Sequence, residues 1–401
     1  MTLYTILFAA LLAPAGRLAD TLGRARLFAV GAWGFTLASL LATVAPSLPV
    51  LLVARGVQGL SAALLIPASL ALVLADTPPA RRPAAIGLWS AAASLAAAAG
   101  PAVGGVLVDG LGWRALFCVN VPIGAWLAWR AMTLPPARRA GGPLPDAAGS
   151  ALVTAAVGLL VLGVTEGAEW GWADAATIAC FAGAALLGAA ALARAARHAS
   201  PAIEIGLWRN PTYASANLVS LVFGGALYAS LLLGVLFLVG VWGYSELEAG
   251  LAMTPGAIAA AAVGLSIGRT ARRPSPRALV VAGSLVVAAT SAALALWLPG
   301  DPSFLTAWLP GGIGLGVGIG AASVGVSTAA AMSVPPTRFA AATGLNIAAR
   351  QVGGAIGVAV LAAILHGHDG DGSGPFLDVY WVMAGLCVAA ALFGLRLRVA
   401  R

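Results

Sequence analysis

Lysine is absent from this 401-residue chain, and only 9% of its residues are charged. All 22 basic residues are therefore arginine, scattered in short clusters between apolar runs. The net charge of +8 is for that reason no nucleic-acid footprint, which requires a basic face or stripe. Cysteine is scarce too. Cys118, Cys180 and Cys387 all fall inside apolar runs, which excludes a disulfide framework or a zinc spacing. No GxxxxGK[ST] stretch occurs, so nothing in the sequence supports a nucleotide-driven machine.

What the chain has in excess is apolar length. Hydrophobic residues make up 60% of it and the mean hydropathy is +0.95. A soluble fold needs far more polar surface than that. Apolar runs of roughly 18–25 residues recur from end to end, each able to cross a ~30 Å hydrocarbon core. The ten-residue alternation of barrel strands is absent. The composition predicts an all-α polytopic membrane protein.

Thirteen segments are expected to span: Leu3–Ala15, Leu27–Ala45, Leu48–Ala75, Ala84–Val108, Ala115–Met132, Ala148–Thr165, Ala175–Ala193, Tyr213–Val241, Gly250–Gly268, Ala278–Leu298, Phe304–Met332, Ala340–Leu365 and Leu377–Leu395. The first lacks a charged leader, and twelve follow it, against a cleaved signal peptide. If the spans alternate, nineteen arginines fall on one side and Arg114 alone on the other, with Arg55 and Arg350 inside spans. That bias places the first set in the cytoplasm. Four acids, Asp20, Asp76, Asp146 and Glu204, share that side, and the other ten lie opposite. Trp113, Trp170, Trp172, Trp242 and Trp297 sit at expected outer edges, as an aromatic belt requires. Met1 is then outside and Arg401 inside.

Two patterns repeat. Gly16–Arg17 returns in the turn Gly268–Arg277 at an offset of 252, and GPAVGG at Gly100–Gly105 returns as GGAIGV at Gly353–Val358 at an offset of 253. The expected organisation is an N-terminal bundle at 1–140, two central linker helices at 141–210 and a C-terminal six-helix bundle at 211–401. Duplicated helical halves are the design of secondary transporters. The first half is one helix short of the second.

Several stretches carry chemistry. In the loop Gly16–Arg26, Gly16 and Gly23 permit a tight reversal. Asp20 precedes the next helix, whose positive end favours an anion, and Arg17, Arg24 and Arg26 can bind that carboxylate. Arg55 lies inside the third span beside Gln58 and Gly59, where a bare guanidinium costs at least a few kcal/mol. It either faces a cavity with a partner or snorkels to the interface. Gly100, Pro101, Gly104 and Gly105 remove bulk and one backbone donor, allowing close helix approach or a bend. Arg350 is the second intramembrane charge, open to anion binding, cavity lining or packing. The glycines from Gly312 to Gly320 mimic a nucleotide loop, but no strand precedes them and helix packing is the expected role. His366, His368, Asp369 and Asp371 mimic a metal cluster in what is expected to be a solvated loop, so no metal site is assigned.

Taken in order, these stretches resemble the major facilitator superfamily. The loop Gly16–Arg26 looks like its cytoplasmic loop, Leu51–Gly59 like its arginine-bearing helix and Ala96–Gly105 like its antiporter motif. Trp113–Gly124, Gly243–Pro255 and Thr343–Gly357 resemble its 14-helix drug:proton antiporter branch, the multidrug efflux permeases. The resemblance implies two pseudo-symmetric bundles plus two central helices, with Gly16–Arg26 as a conformational switch loop and Arg55 in proton coupling. It implies a proton-driven exporter of hydrophobic or amphipathic small molecules in the bacterial inner membrane. The alternatives are an importer or uniporter, or an inactive relic. Expected partners are such substrates, protons and the bilayer, with a monomer, no nucleic acid and no cofactor beyond the proton gradient. Asn120, Asn217 and Asn346 are candidate cavity residues. In the family an aspartate on the first helix is associated with coupling; here that helix is expected to lie upstream of Met1, and no acid is clearly at the membrane centre. The glutamine-rich run before the branch's GYS motif is replaced by Val239 and Gly240.

Overall fold

The computed structural model describes residues 2–133, 143–269, 274–366 and 373–398. In chain order the helices are α1 (Thr2–Leu22), α2 (Arg24–Thr43), α3 (Leu48–Asp76), α4 (Arg82–Leu111), α5 (Ala115–Cys118), α6 (Asn120–Met132) and α7 (Ala147–Trp170). They continue with α8 (Ala175–Ala195), α9 (Pro211–Gly240), α10 (Glu246–Arg269), α11 (Pro276–Trp297), α12 (Leu309–Met332), α13 (Phe339–His366) and α14 (Gly374–Gly394). Among the described residues there is no strand. Helices satisfy their own backbone groups, which hydrocarbon cannot do for them. Among the described residues twelve spans are long and apolar enough to cross a membrane, with α5 and α6 together forming one. α4, 30 residues long, occupies the place of the fourth expected span.

By contact the chain sorts into two compact units. The first comprises Met1–Asp76, Leu107–Asn210 and Ser333–Ala348, and the second Thr77–Val106, Pro211–Met332 and Ala349–Arg401. The division read from sequence into a bundle at 1–140, two linker helices at 141–210 and a bundle at 211–401 remains a proposal, and its first boundary lies outside the described residues.

In the first unit α2 packs on α3 and α6, and α1 on α3 and α7. Small residues permit the close crossings: a methyl built at Gly31 would lie 2.8 Å from the Ser61 carbonyl oxygen, and one at Gly59 2.6 Å from that of Tyr4. Where lipid is as apolar as the helix, such contact is a main source of association.

In the second unit the glycines of α12 divide between two neighbours. Gly316 and Gly320 abut Gly256 and Ala260 of α10, while Gly314 and Gly318 abut Thr290 and Gly283 of α11. The run that mimics a nucleotide loop is a helix-packing surface. Around one end of this unit Phe237, Trp242 and Trp308 form an aromatic cluster, whose indoles donate to the carbonyls of Pro299 and Ala252 at 3.1 Å each. The stretch Gly243–Pro255 opens α10 with a reciprocal cap. The Ser245 amide donates to Glu248 Oε2 at 2.8 Å, and the Glu248 amide donates to Ser245 Oγ at 3.2 Å.

Candidate functional site

In the first unit α1 and α2 are joined by a single residue, Gly23, at φ +106. Only glycine adopts that backbone without strain. Gly23 alone makes the reversal that was expected of Gly16 and Gly23 together. Gly16 lies inside α1, where a methyl would overlap the Ala340 carbonyl oxygen of α13. One at Gly344 would overlap the Leu12 carbonyl oxygen in turn. The two glycines let α1 and α13 cross backbone to backbone.

That crossing determines where Asp20 goes. The residue is 4% exposed, and its carboxylate accepts from the Ala341 amide at 2.8 Å and the Ala340 amide at 3.3 Å. Asp20 therefore meets the positive end of α13, not that of α2. It is still helical at this point, so its side chain projects sideways from α1 and cannot turn onto the amides that follow Gly23. Arg24 completes the carboxylate's shell, donating to Oδ1 from Nε at 3.0 Å and from Nη2 at 2.7 Å. Arg24 also donates to the Pro336 carbonyl and lies 5.7 Å from the Phe339 ring centre. One buried acid thus holds a helix end and an arginine, each favoured by its charge.

A second acid extends the cluster. Glu204, in the segment after α8, pairs with Arg17 at 2.5 Å and with Arg338, which immediately precedes α13. Arg17 is thus engaged by Glu204 and not by Asp20, and Arg26 is exposed. Sequence reasoning missed Glu204 and Arg338 as functional candidates. The available signal was scarcity, since only four acids share a side with nineteen arginines, and three of the four prove to be ion-paired.

The third of these, Asp146, closes the base of the α7–α8 hairpin. It pairs with Arg194 through both carboxylate oxygens, lies 3.9 Å from His198 Nε2, and its amide donates to the Ser200 carbonyl at 2.9 Å. The hydrogen bond from Arg194 holds the Asp146 carboxyl well below the ordinary aspartate range, at about 2.

Arg55 is held inside the first unit. Its Nη1 donates to Gln58 Oε1 at 2.8 Å, and Gln58 Nε2 donates to Ser39 Oγ at 2.8 Å. The guanidinium carbon lies 4.4 Å from the Tyr4 ring centre and 5.8 Å from that of Phe117. Gln58, already close by in the sequence, opens a polar relay, and two aromatic faces supply the partners the sequence could not identify.

The two copies of the glycine pattern behave differently. α4 is helical through Gly100, Gly104 and Gly105, no atom lies within 4 Å of a methyl built at Gly100, and one at Gly105 would be 3.6 Å from Leu247. The side chain of Pro101 lies outside what the structure describes. In α13, by contrast, methyls at Gly353 and Gly357 would overlap the carbonyl oxygens of Leu221 and Gly225 in α9. Beside them Tyr228 donates to Gln351, its ring lying over Gly354. Arg350 is partly buried, and a methyl at Gly224 would overlap its carbonyl oxygen.

Asn120 donates to the Leu116 carbonyl at 3.2 Å and Asn217 to that of Tyr213 at 2.9 Å, while Asn346 is buried. Asn120 and Asn346 belong to the first unit and Asn217 to the second. The turn repeat at Gly268–Arg277 includes residues 270–273, which with His368, Asp369 and Asp371 lie outside the described residues, as do Met1 and Arg401.

A family model described as Major Facilitator Superfamily matches residues 1–358. The probable actinorhodin transporter of Streptomyces coelicolor is 38% identical over 91% of this chain, which spans 65% of that protein. Multidrug resistance protein Stp of Mycobacterium tuberculosis is 36% identical over 90% of the chain, which spans 67% of it. Puromycin resistance protein pur8 of Streptomyces alboniger is 35% identical over 98% of the chain, which spans 79% of it. The chain thus spans about two thirds of the length of the first two relatives. Among solved structures, that of the human organic anion transporter MFSD10 superposes with a TM-score of 0.71, covering 98% of this chain and 82% of its own, at 16% identity. That likeness concerns the fold alone.

Proposed function

Because the chain belongs to the Major Facilitator Superfamily, an integral membrane transporter and not an enzyme, we propose that it exports hydrophobic or amphipathic small molecules by alternating access, driven by the proton gradient. The observation that carries the reading is that its relatives at 35–38% identity are named for transport, multidrug resistance and puromycin resistance. The sequence carries no nucleotide-binding signature, in keeping with a gradient-driven carrier. The protein works as a monomer in the bacterial cytoplasmic membrane, without a cofactor, its arginine-rich loops in the cytoplasm.

In this reading the buried Asp20 cluster is the switch. Asp20 and Arg24 hold the start of α13 against α1, and Glu204 adds a second hold through Arg17 and Arg338. Breaking and remaking these contacts alternates access. Arg55, Gln58 and Gly59 serve proton coupling, Gly100–Gly105 serve as the antiporter motif, and Asn120, Asn217 and Asn346 are candidate substrate contacts, each of its own unit.

Overexpression in a host stripped of its own efflux pumps tests the proposal. Lipophilic antibiotics should become less toxic and a fluorescent substrate should accumulate less, and a protonophore should abolish both effects. Accumulation that rises on overexpression would replace export by uptake.

A further inference from the structure

The two intramembrane arginines are treated differently. Arg55 has Gln58 and two aromatic faces, whereas Arg350 has no ion-pair partner among the described residues, and its Nε is buried without a hydrogen bond. Arg350 stands eleven residues after the start of α13 and sixteen before its end. That is roughly 17 Å of helix to the nearer end, too far for a side chain to reach the interface. An uncompensated guanidinium at that depth costs at least a few kcal/mol, so charges retained there face a partner or a pathway.

The surroundings hold the residue's backbone in place. On α9, Gly224 lies against the Arg350 carbonyl, Gly225 against Gly357, and Tyr228 against Gln351 and Gly354. α13 is thereby locked to α9 at this level, while Arg350 Nε stays buried without a hydrogen bond. A planar guanidinium fork with a buried, unsatisfied Nε donor is suited to a carboxylate, sulfonate or phosphate oxygen pair.

From this contrast we propose that Arg350 binds an anionic group of the transported molecule, making amphipathic organic anions the substrate class of the second unit. The inference rests on the export reading above and deepens it.

A matched pair of fluorescent amphipaths, pyrenesulfonate and pyrenemethanol, tests it on the full chain. Binding is read by fluorescence anisotropy of the purified protein, and export in proteoliposomes with an imposed pH gradient. Wild-type protein should bind and export the sulfonate in preference to the alcohol. Arg350→Gln should weaken sulfonate binding roughly thirtyfold or more, as when one member of a buried charge pair is removed, and should leave the alcohol within about twofold. Arg350→Lys, which keeps the charge and loses the fork, should fall between; it serves as the test variant if Arg350→Gln does not fold.

Equal sulfonate binding by wild type and Arg350→Gln would overturn the inference. So would a difference seen only in vesicles containing phosphatidylglycerol, which would assign the guanidinium to a lipid headgroup. Export of the alcohol without the sulfonate would overturn the inference and leave the exporter reading standing. Export of neither by wild-type protein would remove the reading on which it rests.

Discussion

Asp20, in the last turn of α1, accepts a 2.8 Å hydrogen bond from the amide of Ala341, a residue 321 positions later at the start of α13. The acid is buried and Arg24 binds its other oxygen. One carboxylate therefore fastens a helix end to a distant helix and balances an arginine in doing so.

Asp20→Asn keeps the shape and removes the charge. Arg24 and the α13 amides then lose a buried anion, and breaking such a pair costs about 3–5 kcal/mol. Part of that is offset because an amide oxygen still accepts, so a loss of about 2–3 kcal/mol is expected. Thermal unfolding of the detergent-solubilised protein would measure it, and efflux should fall in parallel. Unchanged stability would mean that the contact carries no load.

Glu204→Gln should weaken the same region through Arg17 and Arg338. A double-mutant cycle pairing it with Arg338→Gln should return a coupling of at least about 0.5 kcal/mol, as for residues in one ionic network. Additive effects would show that Glu204 acts independently of α13.

The two glycine copies make a contrasting pair. Gly353→Ala forces a methyl onto the Leu221 carbonyl and should destabilise by about 1–3 kcal/mol. Gly100→Ala meets no atom within 4 Å and should leave stability within about 0.5 kcal/mol, or raise it slightly by helix propensity. Reversal of this order would contradict the packing described for α9 and α13.

Asp146 gives a pH signature. Its folded value of about 2 lies below the ordinary aspartate value of 3.8, so the folded state is favoured with the carboxylate ionised. The stabilisation is fully present above pH ~4 and is lost as pH falls toward 2. The stability difference between wild type and Asp146→Asn should be constant at neutral pH and shrink through that window. A difference that grows on acidification would reverse the sign and refute the Arg194 pairing as its cause.

Spans and turns were legible because hydropathy and glycine act locally. Each of the thirteen expected segments is helical, and the reversal before α2 falls on Gly23. The partners of the charged residues were not. Arg17 could have bound Asp20, three residues away, yet it pairs with Glu204, and Asp20 meets α13 instead of α2. Those choices depend on α1 crossing α13 at Gly16 and Gly344, a contact between segments more than 320 residues apart that no local pattern encodes. Arg55 is similar: Gln58 could be read beside it, but the rings of Tyr4 and Phe117 arrive from other helices.

The most direct test of the account is export by purified protein in proteoliposomes under an imposed pH gradient, comparing wild type with Asp20→Asn. The account predicts gradient-dependent export by wild type, abolished by a protonophore and strongly reduced in Asp20→Asn while the variant still inserts. Export that ignores the gradient, or that proceeds equally well in Asp20→Asn, would contradict it.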